Sequence, residues 1–317
     1  MLDNETALHT VIGAGQIGRR LARLLADAGY RVHLVRRGPP GPPMAGVIWM
    51  QGDITDPGFA DRACGGATVV YNCANPPDYH RWDGVLQPLF GAVLAAATRA
   101  GARLVVLDNL YGYGRPDGRR LTEDTPMNPC SRKGSIRRDV ARSMLDAHSR
   151  GEVDVAIGRA PDFFGPGTGQ AVYGDRVLEA LDRGRTLDCF GDLDLPRSYA
   201  YAPDVARGLA VLGTRDGTTG RVWHLPVSAQ GTTRELLQAH ADAMGASLRT
   251  RVLPRWALRG MGLFSGTIGA MVEMLYQWEE PFVVDDTDFT TTFGVRPTPL
   301  AQAVAETAAA WRARRAA

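Results

Sequence analysis

The sequence predicts an α/β protein in which a doubly wound parallel sheet is joined by a smaller, mixed α/β C-terminal lobe. Short β-branched runs alternate with helical stretches through the first half of the chain, which predicts a parallel sheet with helices on both faces. A glycine-rich turn joins the first strand to the first helix, and the regular alternation ends after Gly167. At 317 residues, the chain is long enough for two lobes.

Six strands are predicted in the first half, because each is a short apolar run bounded by turn residues. They cover 8–12, 31–35, 47–50, 67–72, 103–107 and 154–158. The first helix runs from the glycine turn to Ala28, with Gly29 as its stop. Two more helices are predicted over about 83–100 and from about Ser135 to Ser149.

The second half is less regular, and some of its elements are expected to return to the first sheet. Helices are predicted near 174–183, 203–213, 232–244, 267–277 and 300–314, and strands near 186–190, 197–201, 221–225 and 247–253. We therefore expect one domain made of 1–166 and 197–228, and a substrate-binding lobe made of 167–196 and 229–317.

Composition excludes several classes of partner. A net charge of +2 is too small to predict nucleic-acid binding. The longest uncharged runs, among them Gly84 to Thr98, have 15 residues, which is too short to span a bilayer. The first ten residues show no basic segment followed by an apolar one, so we expect no secretory signal, no membrane partner and a cytoplasmic location.

The cysteines and histidines predict neither disulfides nor a metal. The 4 cysteines contain no C-x-x-C pair, which fits free thiols in a reducing compartment. The histidines show no metal-ligand spacing with cysteines or acids.

The hexapeptide GAGQIG follows the first strand and opens the first helix, the context in which G-x-G-x-x-G predicts a dinucleotide site. Gly13 permits the tight turn, Gly15 lets the pyrophosphate approach the backbone, and Gly18 allows close packing of helix and strand. The phosphates would lie at the helix N-terminus, beside Gln16 and Ile17. The sequence therefore predicts a Rossmann-type nucleotide-binding domain.

The end of the second strand indicates which nucleotide is bound. Arg36 stands there with Arg37 beside it, where a carboxylate would bind the ribose 2′-hydroxyl and an arginine accommodates a 2′-phosphate. We therefore predict NADP(H), the alternative being two solvated arginines. Asp53, after the third strand, either caps the next helix or contacts the adenine.

Six segments in order resemble the extended short-chain dehydrogenases/reductases, the NAD-dependent epimerase/dehydratase group. They are GAGQIG, the GD-x-x-D pattern at Gly52, Asp53 and Asp56, the Y-G step at Tyr113, LTEDTPMNP (121–129), GRAPDFFGPG (158–167) and RSYAYAPDVARGL (197–209). The resemblance implies a homodimer that pairs the helix at 84–98 with the helix after the fifth strand. It also implies cofactor contacts at Asp53, Ile54, Ala74, Asn75, Lys133 and Pro161.

The catalytic set of that group, a Ser/Thr with Tyr-x-x-x-Lys, is absent from this chain. Lys133 is the only lysine. Alignment from Pro129 places Lys133 at the tyrosine position and Arg137 at the lysine position. The serine pair after the fifth strand is replaced by Asp108 and Asn109.

These replacements still offer a catalytic arrangement. Lys133 can act as a general acid, since an ammonium gives up a proton where a guanidinium does not. Arg137 can donate to the nicotinamide ribose, and Asp108 or Asn109 can orient the lysine or the substrate. The alternative is a degenerate site in which Lys133 only binds cofactor or pairs with Asp108. Tyr113 is either a pocket wall or the next-best proton donor.

Candidate substrate contacts follow the strand ends. They are Tyr79, His80, Tyr111, Phe163 and Arg197; for Tyr79 and His80 a plain surface loop is the alternative. The leading hypothesis is an NADPH-dependent reductase of a small ketone, aldehyde or activated alkene. The alternatives are a non-reductive epimerase or dehydratase that uses bound NADP, and a catalytically silent nucleotide-binding protein.

Overall fold

The computed structural model describes residues 7–76 and 78–316. Residues 1–10, on which the expectation of no secretory signal rests, lie mostly outside this range. Within the described residues no helix is long and apolar enough to cross a membrane.

The strands of the described residues confirm the predicted α/β class. They are β1 (Leu8–Ile12), β2 (Arg31–Arg36), β3 (Val47–Gln51), β4 (Ala67–Asn72), β5 (Arg103–Asp108), β6 (Val155–Arg159), β7 (Phe163–Phe164), β8 (Leu187–Phe190), β9 (Pro196–Tyr201), β10 (Arg221–His224), β11 (Ala229–Thr232) and β12 (Thr250–Leu253). Seven of them form a parallel sheet in the order β10-β6-β5-β4-β1-β2-β3. The order reverses between β1 and β4, which places the ligand crevice of such a sheet at the carboxyl ends of these two strands.

Helices cover both faces of this sheet, as predicted. The helices of the described residues are α1 (Gly18–Asp27), α2 (Pro57–Cys64), α3 (Leu86–Ala100), α4 (Arg132–Ser149), α5 (Asp175–Asp182), α6 (Ala202–Thr214), α7 (Thr233–Met244), α8 (Arg255–Gly262), α9 (Gly266–Val272), α10 (Thr287–Phe293) and α11 (Leu300–Ala316), and five of them pack on the large sheet. The apolar sides of α2, α3 and α4 pack on one face. Those of α1 and α6 pack on the other.

The second lobe has its own apolar core, built from α5, α7, α11 and the short strands around them. Strand β9 pairs with β7 and β11 in a separate three-stranded sheet, and β12 pairs with β8. Helix α6 and β10 return to the large sheet, as expected, whereas β9 does not. The exact division at 166, 196 and 228 stays a prediction.

Several elements differ from the sequence prediction for local reasons. Helix α4 begins at Arg132, three residues before the predicted start, because the Ser131 side chain caps it by accepting from the Gly134 amide at 3.0 Å. The helix expected after the third strand had no predicted bounds; it is α2, which Asp56 caps and Pro57 opens. The helix expected over 267–277 is instead α9 followed by a 3₁₀ turn, Leu275–Trp278.

Candidate active site

The glycine turn has the geometry of a phosphate site. Gly13 has φ +98°, and a Cβ there would lie 2.7 Å from the Ala74 backbone. A Cβ at Gly18 would meet the Gly13 carbonyl, whereas one at Gly15 would meet nothing within 4 Å. No side chain caps α1 at Ile17, so no protein side chain occupies this helix N-terminus, where an anion would bind. The open space over Gly15 and this helix end fit a dinucleotide pyrophosphate.

The adenosine end is marked by Arg36, half-buried at the end of β2, with Arg37 exposed beside it. A Cβ at Gly38 would lie 3.3 Å from Arg36 Nη2, so the guanidinium folds over this loop. Arg36 has no ion-pair partner within the described residues. Its charge is therefore available to a ligand phosphate.

The structure shows whether Asp53 caps the next helix, one of its two predicted roles. Its carboxylate accepts from the Thr55 amide at 2.9 Å and from the Thr55 hydroxyl at 2.8 Å, and these bonds lower the pKa of Asp53. The cap of α2 is Asp56, which accepts from the Phe59 amide at 2.6 Å. Asp53 is therefore not the cap. Ile54 beside it is buried.

Lys133 lies in the first turn of α4 and is only 7% exposed. Its Nζ donates to Glu273 Oε1 at 2.7 Å and lies 4.9 Å from the centre of the Tyr79 ring. Glu273 directly follows α9, so this ion pair joins the nucleotide domain to the second lobe. The carboxylate partner of Lys133 is Glu273, and not Asp108 as one sequence-based alternative supposed.

Asp108 instead lies between two buried arginines. Arg159 Nε donates to Asp108 Oδ2 at 2.9 Å, and Arg137 Nη1 lies 3.5 Å from Oδ1. Both guanidinium groups are 2% exposed. Arg159 was not predicted as a site residue, although it falls within the GRAPDFFGPG segment.

Arg137 is further held by an amide and two aromatic rings. It donates to Asn75 Oδ1, and its guanidinium lies 4.7 Å from the centre of the Trp82 ring and 5.3 Å from that of Phe90. Burial lowers the pKa of Arg137. Its Nε has no partner among the described residues, and so one donor remains for a ligand.

Aromatic side chains line the space beside Lys133. The Tyr79 hydroxyl donates to the Tyr111 hydroxyl at 3.2 Å, and Trp82 stacks on Tyr111. Burial raises the pKa of Tyr111 to about 12 and that of Tyr79 well above its usual value. Both phenols are therefore neutral at pH 7. The structure thus brings together two predicted substrate residues and the lysine.

Asn109 and Tyr113 do not face Lys133. Asn109 Oδ1 accepts from the Tyr111 amide at 3.1 Å. The buried Tyr113 hydroxyl donates to His224 Nε2 at 2.7 Å, because His224 Nδ1 is 2.8 Å from the Asp285 carbonyl and must carry the ring proton. Tyr113 as a proton donor stays a prediction, and its hydroxyl is already engaged.

Because His224 is buried, we expect the free energy of unfolding to fall in mild acid. Burial lowers its pKa from 6.5 to about 4, so the unfolded chain binds the extra proton first. The stability from this histidine is complete above pH 6.5 and falls as the pH drops from 6.5 to 4. At pH 5 the expected loss is about 2 kcal/mol relative to pH 7, measured by urea unfolding. A His224→Gln variant should lose less over the same range; an identical pH dependence would contradict the assignment.

The remaining predicted substrate residues have different environments. Arg197 is buried, and its guanidinium donates to the Asp162 carboxylate and to the Gln277 carbonyl. It therefore already has protein partners where a substrate anion was expected. Phe163 is half-buried and His80 is exposed. Pro161, a predicted cofactor contact, is buried after β6.

Comparison with known proteins identifies relatives of the nucleotide domain. The model of the NAD dependent epimerase/dehydratase family matches residues 10–225. A UDP-glucose 4-epimerase of Mycolicibacterium smegmatis is 32% identical over 158 residues, 48% of this chain and 50% of that protein. A dTDP-glucose 4,6-dehydratase of Streptomyces griseus is 28% identical over 155 residues, 49% of this chain and 47% of that protein. The match thus spans about half the length of these curated relatives.

Solved structures share the fold over nearly the whole chain. A dTDP-glucose 4,6-dehydratase from Streptomyces venezuelae, with NAD and TYD bound, has a TM-score of 0.79 at 22% identity and covers 98% of each chain. A UDP-glucose 4-epimerase from Thermotoga maritima, with UDP-glucose, has a TM-score of 0.79 at 18% identity and covers 97% of this chain and 99% of its own. At these identities the likeness shows the fold.

Proposed function

We propose that this chain, which belongs to the NAD dependent epimerase/dehydratase family, binds a nicotinamide dinucleotide and epimerises or dehydrates a sugar-nucleotide substrate. The observation that carries the proposal is the open phosphate site over Gly15, in a chain whose only lysine lies in the first turn of α4. The family match favours this non-reductive alternative over the reductase of a small ketone, aldehyde or alkene that the sequence first suggested.

The side chains around Lys133 support a role in proton transfer. A nicotinamide dinucleotide, held by the glycine turn, Arg36 and Arg137, would supply hydride chemistry at a substrate carbon. Lys133 would hold or release the proton at the substrate oxygen, and Glu273, 2.7 Å away, would stabilise its charge. Tyr79 and Tyr111 would pack on the substrate. The free Nε of Arg137 would serve the nicotinamide ribose.

The nucleotide released from the purified protein tests the first half of the proposal. We expect mass spectrometry of the denatured protein to detect NADP or NAD. Product analysis with UDP- and dTDP-hexoses should then show a new isomer or a dehydrated sugar without net loss of NADPH. Stoichiometric NADPH consumption with small carbonyl compounds would instead support the reductase hypothesis. Nucleotide binding without turnover would support a catalytically silent nucleotide-binding protein.

We propose NADP(H) rather than NAD(H) because Arg36, at the end of β2, has no ion-pair partner among the described residues. An Arg36→Asp variant should lose about 1.5–3 kcal/mol of NADPH affinity, the value of a charge-assisted contact, and gain affinity for NADH. Titration of both nucleotides by nicotinamide fluorescence measures this. Arg31→Asp, at the exposed opposite end of β2, is the control. Equal wild-type affinities for NADPH and NADH would refute the assignment.

We keep the homodimer and the cytoplasmic location as proposals. The outer side of α3 supports the dimer, since Gly91 and Ala95, one helical turn apart, are exposed there. Small and apolar side chains on one helix side allow close packing against a second copy.

A further inference from the structure

Among the residues that the structure describes, the most exposed large apolar side chains lie on the α8–α9 hairpin, residues 255–272. Trp256 is 77% exposed, Leu263 83% and Phe264 93%. Val252 and Met261 are exposed nearby. Apolar side chains clustered outside the core in this way mark an interaction surface.

The packing of α8 against α9 determines which side chains of the hairpin point outward. A Cβ at Gly262 would lie 3.0 Å from the Gly269 backbone, so α8 and α9 pack almost backbone to backbone. Leu258 fills the inner side of α8 and is buried. Trp256 and Leu263, spaced by two helical turns, therefore point outward with Arg259 between them.

The surface is also cationic. Residues 243–272 contain four arginines and no acidic residue. Arg251 pairs with Asp188, and Arg255 pairs with Glu279. The other two, Arg249 and Arg259, are exposed and make no ion pair in the part of the chain that the structure describes. Exposed Trp, Leu and Phe beside unpaired arginines are the combination that binds an anionic membrane interface.

We propose that the α8–α9 hairpin docks this protein on the surface of an anionic lipid bilayer. The hairpin would insert Trp256, Leu263 and Phe264 at the level of the headgroups while Arg259 meets lipid phosphates. It lies on the membrane and does not span it, since no described helix is long and apolar enough. The sequence alone predicted no membrane partner because its longest uncharged runs, of 15 residues, are too short to span a bilayer, a criterion that does not test for a surface hairpin.

The proposed surface is next to the candidate active site. A Cβ at Gly266, which opens α9, would lie 3.0 Å from the His80 ring. Glu273, directly after α9, holds Lys133. Docking through the hairpin would thus bring the site close to the bilayer. The proposal does not depend on the reaction proposed above.

Vesicle co-sedimentation tests the proposal on the full chain. We expect binding to phosphatidylcholine vesicles that contain phosphatidylglycerol, weaker binding to phosphatidylcholine alone, and weaker binding as salt is raised. Bound protein should show a blue-shifted tryptophan emission, since Trp256 is strongly exposed in the free protein. The double variant Leu263→Ser with Phe264→Ser should bind the anionic vesicles at least about tenfold more weakly than the wild type.

Two further variants complete the experiment. Arg259→Ser should weaken binding to the anionic vesicles by about fivefold. Ile48→Ser, which removes an equally apolar side chain, 55% exposed, from β3 on the other domain, should bind as the wild type does. Absence of wild-type sedimentation would overturn the proposal, and so would undiminished binding of the double variant. Self-association without vesicles that the double variant abolishes would also overturn it, in favour of a second copy as the occupant.

Discussion

Replacing Lys133 with methionine is expected to lower turnover about 10²–10⁴-fold, the usual contribution of a general acid or base. NADPH affinity should change little, because we propose that the glycine turn and Arg36 bind the phosphates. Lys133→Arg should fail as well, since a guanidinium does not release a proton at neutral pH. Steady-state rates with the substrate that the sugar-nucleotide panel identifies measure the loss.

Two controls separate proton transfer from a purely structural ion pair. Arg132→Met removes the neighbouring cation, whose exposed side chain pairs with Asp83 on the surface, and should keep the wild-type rate. Glu273→Gln breaks the same 2.7 Å pair from the other side. If Lys133 only joins the two lobes, Glu273→Gln and Lys133→Met should lower turnover equally. If Lys133 transfers the proton, Lys133→Met should lower turnover far more than Glu273→Gln does. Wild-type turnover in Lys133→Met would show that Lys133 is not the donor.

Replacing Asp108 with asparagine is expected to lower the free energy of unfolding by about 3–5 kcal/mol, because removing one member of a buried ion pair leaves its partners uncompensated. Here two partners are affected, Arg137 and Arg159, both 2% exposed. Asparagine keeps the shape of the side chain, so the loss reports on charge and not on packing. Urea unfolding at pH 7 measures it.

The matched control is Asp61→Asn, which breaks a surface pair with Arg99 at 2.7 Å. Both of its side chains are exposed, so we expect a change below about 1 kcal/mol. A similarly small change for Asp108→Asn would mean that the rings around Arg137, together with Asn75, balance the two guanidinium groups without the carboxylate.

The large sheet could be predicted from the sequence because its strands are signalled locally. Apart from Asn72 and Arg103, the runs 67–72 and 103–107 contain only apolar and β-branched residues, which suits strands covered on both faces. The position of the nucleotide site could also be predicted locally, because the three glycines of the turn GAGQIG lie within six residues. Lys133 and Arg137 were found through a resemblance, and their placement on α4 agrees with it.

The partners of the site residues could not be predicted because they come from distant segments. Glu273 is 140 residues from Lys133, and Arg159 is 51 from Asp108. No spacing rule connects such pairs. The elements missed in the second half, β11, α8 and α10, have 4, 8 and 7 residues. Elements this short depend on tertiary packing more than on their own periodicity.

The shared carboxylate of Asp108 also makes substitutions at this site interdependent. A variant that replaces Asp108 alone leaves two buried guanidinium groups without their counter-charge, whereas one that also replaces Arg137 or Arg159 leaves a single one. The changes in the free energy of unfolding at these three positions are therefore expected to be non-additive, because the three side chains form one ion network.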